Sequence, residues 1–381
     1  MSRVTGSQDL IKRLNLSLVQ ETILNHQPIN RAQIAKKLNL SRSTVSSLVD
    51  ELLRKKMVVE LGLGESTQEG GRRGVKLGFN PKSAFGIGVD IGGTKINVFI
   101  TDLKGEIVYR EKVKTTADIQ KVIYIIKKGL EEAQIEESEI IAMGVGVPGI
   151  TNSKEGIVLD APALKWTNVN LREQLTESFN FPVFINNDVN CAALGERWLG
   201  SGKNTNDMLF IAIGTGVGSA IISDGELIYG HNFQSGEIAY NVSEEDVRFG
   251  NYNKLGEFGL FEKKTSGQAL SQNGFTSREL FQEYEKGNQK AIPIIKDFIQ
   301  RLSIAIVNAI NLLNPESVVI GGGVSESMGT VIREIEENVD RLTPIKTKIR
   351  LASLGGDAGS YGAIAYALEE IENKSLMEVG V

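Results

Sequence analysis

The sequence predicts an α/β protein in two parts, an N-terminal winged helix-turn-helix followed by a larger body of strands, glycine-rich turns and helices. Three observations predict it. Near the start, two helical patterns are joined by the short link "NLS" and followed by strand, glycine-rich turn and strand. Charge changes sign near Pro81: residues 1–80 carry 13 Lys+Arg against 7 Asp+Glu, a net of +6, and residues 81–381 carry 29 against 40, a net of −11. Finally, the body returns repeatedly to one local pattern, an apolar strand running into a glycine-rich turn.

Taken in order, Leu10, Ile11, Leu14, Leu18, Val19 and Ile23 recur at helical spacing and predict a helix from about residue 7 to 25. In "INRAQIAKKL", Asn30 can cap a second helix and Gln33 can complete a capping box. In "NLSRSTVSSLVDELLRKKMV", Ser41 is the expected cap of a third. Val45, Leu48, Val49, Leu52 and Leu53 form its buried stripe, and Arg42, Ser43, Ser46 and Ser47 its outer face. Small polar residues with an arginine at the exposed start of the second helix of such a pair suit a major groove. Arg42 can reach a guanine edge or a phosphate, and Ser43, Thr44, Ser46 and Ser47 let the backbone approach. Beyond it, "MVVELGLGESTQEGGRRGVKLGFNP" reads as a wing, with Arg72 and Arg73 placed to enter a minor groove. The alternative is a protein-interaction module with a basic hairpin.

Composition limits the rest. With 381 residues, 41% of them hydrophobic, the chain is long enough for two or three domains with proper cores. No apolar run is long enough to span a bilayer and the start has no signal-peptide core, so the expected compartment is the cytoplasm. The one cysteine, Cys191, cannot form an internal disulfide.

In the body, "FGIGVDIGGTKINVFITD" places Gly92, Gly93, Thr94 and Lys95 at a turn whose N–H groups can converge on an anion. "MLFIAIGTGVGSAIISDGELI" places Gly214, Thr215, Gly216 and Gly218 at a second bend. "SVVIGGGVSES" runs through Gly321, Gly322 and Gly323 into a predicted helix whose N-terminus can face a phosphate or ribose. "FPVFINNDVNCAALGERW" ends a strand at Asn186, Asn187 and Asp188. A carboxylate there can take the proton of an attacking hydroxyl, or it can simply cap the following helix. Apart from the two related hairpins, no internal repeat is visible.

"DIGGTK", "VPG", "NNDVNCAALGE", "IGTGVG", "SGEIAY" and "GGGVSE" stand in the order and approximate spacing of the ROK family (repressors, open reading frames and sugar kinases), which the chain resembles over essentially its whole length. The winged helix makes it similar to the repressor branch, the xylose repressors among them, and so points to a pentose effector, with glucose or an oligosaccharide as alternatives. The resemblance implies a two-lobed, actin-like ATPase (ribonuclease H-like) sugar-kinase fold behind the winged helix. The implied layout is a head over 1–80, one lobe over 81–200 completed by a C-terminal helix at 359–373, and a second lobe over 201–358. It also implies a sugar site of Asn187, Asp188, Glu237, Tyr240 and Glu262, and Asp188 as general base if the chain is a kinase.

Two departures from the family pattern stand out. Much of the family holds zinc through one histidine and three cysteines; here Tyr240, Asn253, Leu255 and Leu260 occupy those positions. No metal is expected there, and apolar packing is expected to replace it. An asparagine that often precedes the tryptophan segment is Ala163. Two functions of different class follow. One is a sugar-responsive repressor, expected to act as a homodimer or higher oligomer on operator DNA, needing no cofactor and contacting no membrane. The other is an ATP-dependent sugar kinase using ATP and magnesium.

Overall fold

The computed structural model describes residues 5–64, 74–254 and 257–379. The chain divides into two compact units. The first runs to Phe85 and takes in Thr101–Glu106 and the end of the chain from Glu372; the second comprises Gly86–Ile100 and Ile107–Ile371.

In the first unit, α1 (Thr5–His26), β1 (Ile29–Asn30), α2 (Arg31–Leu38) and α3 (Arg42–Arg54) precede a hairpin of β2 (Val58–Leu63) and β3 (Val75–Phe79). The local signals explain these boundaries. Asn30 Oδ1 accepts the Gln33 N–H at 2.9 Å and Gln33 Oε1 accepts the Asn30 N–H at 3.0 Å, which closes the capping box of α2. Asn39 ends that helix in the left-handed conformation, φ 53°. Ser41 Oγ then accepts the Thr44 N–H at 3.1 Å and starts α3. Val45, Leu48, Val49 and Leu52 are buried as expected, whereas Leu53 is half-buried. The expected stripe of α1 is corrected more strongly: Val19 and Ile23 are buried, but Ile11, Leu14 and Leu18 are exposed. The head is too small to cover the whole length of a 22-residue helix. β3 lies between β1 and β2. Arg72 and Arg73 lie outside the described residues.

The body begins with β4 (Phe85–Ile91), β5 (Lys95–Asp102), β6 (Ile107–Lys114), α4 (Ile119–Ala133) and β7 (Ile140–Val147). Three short strands follow, β8 (Ile150–Asn152), β9 (Ile157–Ala161) and β10 (Trp166–Asn170), and then α5 (Leu171–Thr176), β11 (Val183–Asn187) and α6 (Asp188–Leu199). A second series runs β12 (Met208–Ile213), β13 (Val217–Ser223), β14 (Glu226–Leu227), α7 (Glu244–Arg248), α8 (Glu262–Thr265), α9 (Gly267–Leu270) and α10 (Ser277–Glu285). It finishes with α11 (Ala291–Leu313), β15 (Ser317–Gly321), α12 (Ile332–Leu342), β16 (Lys348–Leu351) and α13 (Ala358–Val379).

The two five-stranded sheets have orders β11-β7-β4-β5-β6 and β14-β13-β12-β15-β16. Numbered within its own series, each is the same 3-2-1-4-5 arrangement, a structural duplication that the sequence shows only as two similar hairpins. Burial on both faces favours near-continuous apolar runs in the central strands, so many different residues satisfy each copy.

The N-terminal part of α13 lies backbone to backbone against its neighbours. A Cβ on Gly144 would overlap the Ala363 carbonyl, one on Gly195 the Ala358 carbonyl, and one on Gly362 the Cys191 carbonyl. Gly144→Ala should therefore destabilise the body by roughly 3 kcal/mol, because the obstacle is helix backbone that cannot rotate away. Thermal unfolding of the variant beside the parent measures it, and equal melting temperatures would show that α13 is not seated on β7 in this way.

Candidate functional site

β11 delivers Asn187 and Asp188 to the start of α6. The cap is Asn187 and not Asp188: its Oδ1 accepts the Val189 N–H at 2.8 Å and the Asn190 N–H at 3.1 Å, and its Nδ2 donates to the Gly149 carbonyl at 2.8 Å. Both acceptor directions of the amide oxygen are used, and the amide also hydrogen-bonds the neighbouring Asp188 carboxyl. Asp188, the first helical residue, accepts the Val189 N–H at 2.9 Å. Burial pushes its carboxyl up to about 6, against the pull of the Val189 amide. Asn186 is occupied with structure, donating to the Tyr229 hydroxyl at 3.0 Å and accepting from Asn190 Nδ2 at 3.0 Å.

Asp90, at the end of β4, is the first residue of "DIGGTK", a motif read for its turn and not for this carboxylate. Burial, and after it the negative charge of Asp188, push it up to about 7. Its carboxylate accepts a long hydrogen bond from Asn97 Nδ2, 3.4 Å, and Asn97 also donates to the Gly356 carbonyl at 3.2 Å. Gly359 at the start of α13 leaves the space that the Asp90 carboxylate fills. The sequence does hold a signal for this: Asn97 is an amide inside the otherwise apolar strand "INVFI", and it is buried.

Of the glycine turns, the one at 92–94 is closed by Gly92 N–H to Lys95 O at 2.9 Å, with Gly93, Thr94 and Lys95 exposed. Gly214 N–H bonds to Gly216 O at 2.9 Å, and Gly267 N–H, from α9, bonds to Gly214 O at 2.8 Å. The Gly321–Gly323 turn lies beside the second bend, since Val324 N–H donates to Ile213 O at 2.9 Å and Gly322, at φ +84°, sits against Ile213 backbone. An added Cβ at Gly93, Gly214 or Gly323 would meet nothing within 4 Å, so each faces open space. Two expectations need correcting. Gly218 is inside β13, paired with Ala212 and packed on Val189, and not at the bend. The triple glycine leads into a 3₁₀ segment, Ser325–Thr330, and an α-helix begins only at Ile332, so no α-helix N-terminus opens directly on that turn.

Glu237, Tyr240 and Glu262 come together. Glu262 Oε1 accepts the Val217 N–H at 2.9 Å and Oε2 the Gly259 N–H at 3.1 Å, so each oxygen keeps capacity for a further donor. Burial and then Glu262 raise Glu237; burial, then Glu237, Glu262 and Asp160, raise the Tyr240 phenol. Asp160, on β9, joins this group without any motif to mark it in the sequence. The segment where relatives would hold zinc has other fastenings: Asn253 donates to the Tyr240 carbonyl and accepts from the Leu260 N–H, both at 2.8 Å, and Leu260 is buried. Among the described residues no group of three or more His, Cys, Asp or Glu is placed to hold a metal, and these residues do not fit zinc. Leu255 lies outside the described residues.

In the head, Arg42, Ser43 and Ser47 are exposed while Thr44 and Ser46 are half-buried. Ser43 and Thr44 hydroxyls also engage the Ser41 cap at 2.9 and 2.7 Å. A concavity beside α3 is lined by Asn30, Arg31, Ala32, Arg42, Ser46, Gly74 and Val75, so the edge of α2 joins a surface that sequence pattern places on α3 and the wing. Arg31 is itself tied to Asp50 at 2.7 Å.

A model of the "ROK family" matches residues 86–370 and one of the "MarR family" residues 19–59. The chain belongs to the ROK family. It is 31% identical to a xylose repressor of Caldicellulosiruptor bescii over 96% of this chain and 98% of that one. It is equally 31% identical to a glucokinase of Halalkalibacterium halodurans, over 77% of this chain and 97% of that one. A solved ROK family transcriptional regulator, described as a homologue of the E. coli MLC protein, has the same fold, with a TM-score of 0.79, 22% identity and coverage of 97% of this chain and 99% of that one. A Streptomyces griseus ROK glucokinase solved with glucose and AMPPNP gives a TM-score of 0.62 at 25% identity, over 75% of this chain and all of the other. The winged helix therefore accompanies a kinase-like body, as the sequence predicts.

The raised Asp90 carboxyl has a measurable consequence. An unfolded aspartate releases its proton at about 3.9, whereas the folded one holds it up to about 7, so between these values folding binds protons and stability falls as pH rises. Asp90→Asn removes that penalty while keeping a partner for Asn97. It should raise the melting temperature by roughly 2–4 °C at about pH 8 and leave it little changed at about pH 4. An equal shift at both pH values would mean that the carboxylate's charge is not what burial disfavours.

Proposed function

We propose that this protein is a sugar-responsive transcriptional repressor of carbohydrate-utilisation genes, binding operator DNA through its winged helix and released by a sugar held at Glu237, Tyr240 and Glu262. The observation that carries this reading is the presence, in one chain, of an exposed Arg42–Ser43–Ser47 face on a capped recognition helix and a ROK body with paired carboxylates suited to adjacent hydroxyls. The similarity to xylose repressors supports the same reading and suggests a pentose as the effector. The protein acts as a homodimer or higher oligomer in the cytoplasm, two copies of α3 reading two operator half-sites and Arg72 and Arg73 reaching the minor groove.

A second reading, a sugar kinase alone or combined with repression, is favoured by one specific feature. Asn187 caps α6, and the Asp188 carboxylate, which shares the Val189 N–H with it, lies within reach of Asp90's charge and has a raised proton affinity suited to a base. The turns at Gly93, Gly214 and Gly323, with open space above each, fit a nucleotide's phosphates, with Thr94, Lys95 and Thr215 beside them. Bound ATP, with magnesium, would supply the phosphoryl group. The chain's own part is to orient the sugar through Glu237 and Glu262 and to take the hydroxyl proton on Asp188.

Fluorescence anisotropy on DNA from upstream of the protein's own gene, titrated with pentoses and hexoses, tests the first reading. Arg42→Ala should weaken operator binding roughly tenfold or more. Glu262→Gln should bind operator normally and fail to let go when sugar is added; release at ordinary sugar concentration would remove Glu262 from the sensor. For the second reading, ADP release with ATP, magnesium and the same sugars should disappear in Asp188→Asn. Absence of turnover in the parent would leave repression without an enzyme.

A further inference from the structure

Among the described residues, four of the five exposed large aromatic side chains, Tyr240, Phe249, Tyr252 and Phe258, lie within residues 240–258. Two of them border the candidate sugar site itself. The Tyr240 phenol, in a side chain 39% exposed, feels the charges of both Glu237 and Glu262. Phe258, 46% exposed, has its ring edge 3.9 Å from where a Cβ of Gly216 would stand, and the Glu262 carboxylate abuts that same point. Glu262 is thus flanked by two aromatic rings open to solvent.

The backbone that carries Tyr240 is held in place. Asp246, buried, bonds to Lys264 Nζ at 2.6 Å and to both the N–H and the hydroxyl of Ser243, and Asn253 fixes the Tyr240 carbonyl. Asp160, whose charge also reaches the Tyr240 phenol, leads into the turn Pro162–Leu164, where Ala163 is exposed and presents only a methyl group. The position therefore combines carboxylates for hydroxyls with exposed aromatic faces beside them. Sugar rings have apolar C–H faces that lie well on aromatic rings, whereas a single pyranose or pentose bound by Glu237 and Glu262 would leave much of that aromatic surface wet.

We propose that the effector is a disaccharide, its first ring held by Glu237 and Glu262 and its second stacked on Tyr240 and Phe258. This rests on the sugar-binding reading of Glu262. The arrangement makes the aromatic pair the determinant of ligand length, and the carboxylates the determinant of hydroxyl pattern.

Calorimetric titration of the full chain with xylobiose, cellobiose, maltose and lactose, beside xylose and glucose, tests it. At least one disaccharide should bind roughly tenfold or more tightly than its component monosaccharide, and Phe258→Ala should reduce that ratio several-fold. Tyr240→Ala should reduce it as well, and a melting temperature equal to the parent's serves as the control for loop integrity in both variants. A monosaccharide that binds as tightly as every disaccharide overturns the aromatic subsite while leaving Glu262 as a sugar ligand. An identical ratio in Phe258→Ala, Tyr240→Ala and the parent overturns it in the same way. If no sugar of either length binds, the sugar reading of the site falls and the subsite falls with it.

Discussion

The close crossing of α6 and α13 is the constraint on which the body depends. At Gly195 and Gly362 the two helices meet backbone to backbone, with no side chain between them. That contact sets where α6 begins, and so where Asp188 stands, and it sets the start of α13, where Gly359 leaves room for Asp90. The other end of α6 is fastened with similar care. The buried Glu196 carboxylate accepts N–H groups from Ser201, Ser353 and Leu354, at 2.7, 3.0 and 2.8 Å, so one side chain joins the exit of α6 to the chain just before α13. A buried carboxylate is tolerated because its oxygens are so thoroughly occupied by backbone donors. Two carboxylates on one helix thus have opposite circumstances. Glu196 is satisfied and structural, whereas Asp188 accepts from its own helix start and keeps a raised affinity for a proton.

The chain around Tyr240, Asn253 and Leu260 shows how polar and apolar fastenings together hold one path. Zinc would tie together distant points in the 240–260 segment by strong directional bonds. Here Asn253 bridges Tyr240 and Leu260, Asp246 draws in Lys264 and Ser243, and Leu260 and Phe261 turn inward. The expectation that leucine packing alone substitutes for the metal is therefore too narrow. Hydrogen bonds from Asn253 fix the path of the chain beside the buried Leu260, and amide side chains are not conspicuous in a sequence as fasteners.

How far the sequence can be read depends on whether a signal is local. Capping boxes, the glycine turns and the apolar strands are local, and the helices of the head and the hairpins of the body are legible from them. The burial of α1 is not, because Leu14 and Leu18 follow the same period as Val19 and Ile23, and only the size of the head decides which are covered. The identity of the α6 cap turns on a choice between adjacent residues. Asn187 wins because its amide can both accept from the helix and donate to Gly149, which a carboxylate cannot do. Spacing places Gly218 at the bend, yet strand pairing carries it one step beyond. Asn97 and Gly359, far apart in the chain, meet at Asp90 only through the first five-stranded sheet and α13, and Asp160 reaches Tyr240 from a separate three-stranded sheet, β10-β9-β8.

Sensing and catalysis would share the same parts here, and the geometry explains how they communicate. Glu262 accepts a hydrogen bond from Val217, immediately after the Gly214–Gly216 bend, and also from Gly259, at the base of the aromatic segment. A ligand hydroxyl that draws on Glu262 therefore competes with, or tightens, the hold on both. Because the carboxylate stands against Gly216 itself, movement of Glu262 is transmitted to the glycine bend without an intervening flexible side chain. Coupling of this kind is reciprocal: if sugar binds at Glu262 as proposed, a ligand at the bend would change sugar affinity by the same factor that sugar changes affinity at the bend. In a kinase that coupling aligns two substrates. In a repressor the same coupling is sufficient to distinguish an occupied site from an unoccupied one, so retention of the glycine turns is explained by sensing as well as by phosphoryl transfer.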